Sequence, residues 1–141
     1  MVAEPSVGLT SEIWWSPNPP FASSLPGTSA RDLANGYSAA TGRPWTQPIG
    51  FKHALFEVVA DVIARADDLD DADAIAAAIS GTNISTIVGG VNWSNGPVPN
   101  VSKTPLVSGQ WQKAGDGVEL VITNNAQAPD IPVGGELQLL G

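Results

Sequence analysis

The sequence predicts an α/β fold with about three helices followed by a β-hairpin-rich C-terminal part, and three observations carry that prediction. Apolar residues at 51, 55, 58, 59, 62, 63 and 66 follow the i, i+3, i+4, i+7 spacing of a helix face, widened by Phe56 and Ala60. From Ile84 onward the texture turns to β-branched residues with glycines. Near the end two strand-like runs are separated by Ala114, Gly115 and Asp116, a turn short enough to close a hairpin.

Taken in order, residues 1–10 read as a tail leading into an apolar segment. Ile13, Trp14 and Trp15 are strand formers, and Ser16-Pro17-Asn18-Pro19-Pro20-Phe21 then ends the strand in a stiff loop that runs on through Gly27. Adjacent Trp residues on a strand face opposite ways, so at most one joins the core on one side while the other is free for a cleft or interface; that both are packing residues is an equal alternative. A first helix is expected over 30–41, capped by Ser29 with Asp32 three residues on and stopped at Gly42 before Pro44. The long helix is expected over 51–66, buried on most of its circumference, with Pro48 and Gly50 breaking the chain just before it. An alanine-rich third helix starts at Asp70 or Asp71 and ends at Gly81. The run 84–93 reads as one strand, bent or bulged at Gly89-Gly90. Strands at 106–113 and 117–123 form the late hairpin, and the Gly- and Pro-containing tail carries a brief strand at 136–139.

Composition narrows the function classes. A chain of 141 residues with 43% hydrophobic content can bury a real core, and a single domain is the default. Fourteen acidic against six basic residues, a net charge of -8, argue against a nucleic-acid surface, which needs a basic stripe, and equally against an anionic membrane surface. Without cysteine there is no disulfide framework and no thiolate nucleophile. Residues 1–5 have no basic or apolar signal region, and no 18-residue apolar run occurs, so the chain reads as soluble and without an export signal.

Few residues invite chemistry. Five carboxylates fall within residues 67–73, yet they lack the alternation, the central Gly and the final Glu of a calcium loop; helix capping explains them better. The one histidine, His53, sits in the first turn of the long helix, and no G-x-S-x-G elbow, P-loop or dinucleotide fingerprint accompanies it. Neither an enzyme nor a cofactor is indicated.

The order of these pieces is more specific than any one of them. Trp14-Trp15-Ser16-Pro17, a helix ending Ala40-Thr41-Gly42, a long helix ending Ala64-Arg65-Ala66-Asp67, the run Ser85 to Trp93, and a hairpin containing Gly109-Gln110-Trp111 together resemble the C-terminal part of ABC-transporter solute-binding proteins, closest to the branched-chain amino-acid type. The resemblance runs from about Gly8 to Leu140. It implies a partial lobe of the type I periplasmic binding fold within a single fragment-like domain, 1–141. Residues 8–90 would belong to the first lobe, and 91–141 would cross over to the second.

The implied function is binding of a small amino-acid-like or aromatic solute and its delivery to a membrane permease, in the periplasm. Ligand-binding positions on this resemblance are Gln47, Phe51 and His53 before and on the long helix, with Trp14 and Trp15 bordering the cleft. A full family member has a signal peptide and a longer N-terminal portion. Strands that would pair with those of this chain belong to that portion, so the short chain is expected to associate with further copies of itself. The rival readings are a stand-alone oligomeric interaction domain without small-molecule binding and, behind it, a hydrolase whose activity would disappear on His53→Ala.

Overall fold

The computed structural model describes residues 6–25 and 27–139; residues 1–5, which bear the reading of no export signal, together with Pro26, Leu140 and Gly141, lie outside the described residues. Three helices and five strands form among them: β1 (Thr10–Ile13), α1 (Ala30–Thr41), α2 (Pro48–Arg65), α3 (Ala72–Ser80), β2 (Asn83–Thr86), β3 (Gly89–Asn92), β4 (Val107–Ala114) and β5 (Gly117–Asn124). The strands make two antiparallel sheets, one ordered β1-β4-β5 and the other the β2-β3 pair. Among the described residues no helix is long and apolar enough to cross a membrane.

Local chemistry sets most helix ends. The Ser29 hydroxyl accepts the Asp32 N–H and donates to its carboxylate at 2.6 Å, and Gly42 closes α1 in the left-handed region at φ 66°. Asp71 caps α3 by accepting the Asp73 N–H. The start of α2 departs from expectation, because the helix takes in both Pro48 and Gly50 rather than beginning at Phe51. Proline is tolerated there because a first-turn N–H has no helical partner to lose.

Four other expectations are corrected. The first strand ends at Ile13, so both Trp residues follow it rather than belong to it. Residues 84–93 are not one bent strand but part of the tight β2-β3 hairpin, in which Ile87 and Val88 form the turn and Gly89 supplies φ 101°. No strand forms at 136–139; that segment is held by side chains of β4, with Gln110 exchanging hydrogen bonds with the Gln138 backbone and Gln112 donating to the Glu136 carbonyl. Finally, α2 is not buried on most of its circumference: Leu55, Phe56, Val59 and Ile63 are exposed.

Two apolar clusters result. Trp15, Ala30, Ala34, Ala54, Ile87, Val88 and Val91 pack between the helices and the small hairpin. Ile13, Val107, Leu120, Ile122, Ala128 and Ile131 pack on the three-stranded sheet, and Trp45 touches both groups. Ile13 lies directly over Gly109, where a β-carbon would come within 2.3 Å of its Cδ1.

Candidate functional site

Of the five residues that the family resemblance marks, His53 bonds to Ser23, whereas the other four, Trp14, Trp15, Gln47 and Phe51, are brought together by the exit of β1 and the start of α2. Gln47 is the clip between them. Its Oε1 accepts the N–H groups of Trp14 (2.8 Å) and Trp15 (3.3 Å), and its Nε2 donates to the Glu12 carbonyl. Both ends of the amide are therefore committed to backbone groups at the end of the strand and just beyond it.

The two Trp rings diverge. Trp14 is half-buried and stands edge-on to Phe51 with ring centroids 5.1 Å apart. Trp15 is 1% exposed, stands edge-on to Trp45 at 5.9 Å, and has its face against Gly50 of α2. Among the described residues its indole N–H has no hydrogen-bond partner, a cost of about 1–3 kcal/mol that the packing of a large ring must offset.

One turn further along α2, His53 Nε2 and the buried Ser23 hydroxyl share a 2.7 Å hydrogen bond, and Ser23 Oγ also accepts the Leu25 N–H. A hydroxyl against an imidazole is the front of an acyl-transfer dyad. Here the neighbouring carboxylate turns elsewhere. Glu57, 1% exposed, accepts the Ser24 N–H (2.6 Å), the Ser24 hydroxyl (2.9 Å) and the Ile87 N–H (3.0 Å). Three donors satisfy a charge that could not otherwise be buried. The cluster joins the loop before α1, helix α2 and the β2-β3 turn at one point. Glu57 lies on the buried face of α2, but its partners lie 30 and 33 residues away and leave no spacing signal.

The space between the Trp pair and Val88 is small. The cavity between Trp14, Trp15 and Val88 measures about 10 Å³, room for one water at most. The larger space lies on the other side of its wall. An open groove of about 860 Å³ runs between the 102–106 segment and the 127–131 loop, and Phe21, Pro105 and Ile131 line both it and the small cavity. That volume is in the range of small-molecule sites. Lys103 and Asp130 flank it, both exposed, and among the described residues neither enters an ion pair or a side-chain hydrogen bond. Ser102, Thr104 and Gln127 add neutral polar groups. Sequence reading missed this groove, because its two walls are loops separated by the whole β4-β5 hairpin.

Among the described residues no group of three or more His, Asp or Glu side chains is placed to hold a metal ion. The acids of 67–73 instead serve local turns, Asp68 accepting the Asp70 N–H as Asp71 accepts that of Asp73. Comparison with protein-family models, with curated proteins and with solved structures finds no match.

Proposed function

We propose that this chain is the C-terminal portion of a solute-binding component of an ABC importer, working in the periplasm and delivering a small amino-acid-like solute to a membrane permease. The observation that carries the reading is the groove flanked by Lys103 and Asp130. A zwitterion presents a carboxylate and an ammonium together, and two opposite charges with no partner of their own are the complement it needs. The apolar wall of Phe21, Pro105 and Ile131 would take an aliphatic or aromatic side chain. The ordered resemblance along the chain to the branched-chain amino-acid type supports the same reading, and a partial lobe of the type I periplasmic fold goes with it.

Within this proposal the five resemblance-derived positions divide. Trp14 and Phe51 keep half-exposed ring surface and could contact solute once a second lobe closes on them. Gln47, Trp15 and His53 hold the scaffold through the contacts described above.

Thermal unfolding in the presence of individual amino acids tests the proposal. A bound ligand at 100 times its Kd adds about 2.7 kcal/mol, which in a chain of this size raises the midpoint by roughly 8–10 °C. A branched-chain or aromatic amino acid should produce such a rise, reduced in Lys103→Ala and Asp130→Ala. If no amino acid moves the midpoint at millimolar concentration, the solute reading fails. The interaction-domain reading would then gain ground, favoured by the bare apolar face of α2.

A further inference from the structure

Helix α2 carries apolar residues on two opposite sides. One side, with Gly50, Ala54, Glu57 and Val62, is buried. On the other, Leu55, Phe56, Val59 and Ile63 are 61, 67, 43 and 53% exposed. At 100° per residue those four positions fall within a stripe about 100° wide, centred opposite the buried face. A helix that is apolar around its circumference belongs in an interior, so this stripe is a surface waiting for a partner.

We propose that the partner is a second copy of this chain, docked through α2 in antiparallel, two-fold fashion. Charge decides the orientation. Lys52, exposed at the N-terminal end of the stripe, has no ion pair among the described residues, while the exposed Asp67 and Asp68 follow directly on the C-terminal end of the helix. A two-fold axis at Val59 places Leu55 and Phe56 of one copy against Ile63 of the other. It also carries each Lys52 to the acidic turn of its partner. A parallel pair would instead set Lys52 beside Lys52 and acid beside acid, which chains of net charge -8 can least tolerate.

The four side chains expose roughly 400 Å² of apolar surface per copy, about half of what one partner contributes to a standard interface. The dimer is therefore weak, with a dissociation constant in the micromolar range. It is independent of solute binding in the groove, which lies on other elements.

Sedimentation equilibrium over a concentration series, up to about 0.5 mM to reach a weak constant, provides the test. The expected result is a monomer–dimer equilibrium that Ile63→Asp weakens by about 30-fold or more, since it sets a charge in the apolar seam. Position 63 is exposed, so circular dichroism should show the fold intact. Lys52→Glu should weaken the dimer roughly 5- to 10-fold, and adding Asp67→Lys and Asp68→Lys in the same chain should recover most of that loss at low salt. A chain monomeric throughout the series, or an oligomer indifferent to Ile63→Asp, would overturn the proposal. A charge swap that deepens the loss rather than recovering it would overturn the antiparallel arrangement.

Discussion

The face of the Trp15 indole lies where a side chain at Gly50 would begin: a β-carbon on Gly50 would come within 2.3 Å of the ring's Cγ and Cδ1. Glycine inside a helix costs about 1 kcal/mol relative to alanine, so propensity alone favours Gly50→Ala. Contact with a fully buried ring decides the other way. Neither Trp15 nor α2 can retreat without opening the cluster that holds Ala54, Ile87 and Val88. Gly50→Ala should destabilise the chain by about 2–3 kcal/mol in urea unfolding. A gain in stability would mean that ring and helix are not in contact.

The buried Glu57 leads to a graded prediction. Glu57→Gln keeps oxygen for some of its donors but brings an amide N–H against another, and should cost about 2 kcal/mol. Glu57→Ala strands the N–H groups of Ser24 and Ile87 together and should cost about 3–4 kcal/mol. Chemical denaturation of both variants reads the order directly. Near-neutral behaviour of both would show that the carboxylate is not the joint between α2, the loop before α1 and the β2-β3 turn.

What could be read in advance tracks how local each cause is. Ser29, Asp32 and Gly42 fix α1 within a few residues of one another, and its limits follow from the sequence alone. The turn between β4 and β5 is equally local, and both strands fall within about one residue of where they are expected. Gly50 misleads because its reason is a ring 35 positions upstream, and the burial of α2 misleads because periodicity registers apolar faces without saying what covers them. The 136–139 segment lacks a strand because two glutamine side chains, not a backbone ladder, fasten it to β4. As for the candidate site, the contacts of Trp14 with Gln47 and Phe51 join positions far apart in the chain, and the groove depends on loop packing that no spacing encodes.

Gln112 supplies a further test of how the C-terminal segment is held. It donates to the Glu136 carbonyl at 2.7 Å and accepts from the Gln138 side chain, while Gln110 brackets the Gln138 backbone. Gln112→Leu should leave the β4-β5 amides protected yet speed amide exchange from 134 to 138 by about 10-fold, corresponding to a hydrogen bond of about 1–1.5 kcal/mol. Unchanged exchange across that segment would assign its order to other contacts.

The most direct measurement is a titration of the ¹⁵N-labelled chain with leucine and with phenylalanine, followed by amide chemical shifts. Solute binding in the groove predicts saturable shifts centred on residues 102–106 and 127–131 and reaching Phe21, lost in the Lys103→Ala, Asp130→Ala double variant. An unchanged spectrum at millimolar ligand, or saturable shifts confined to regions away from those two segments, would contradict it.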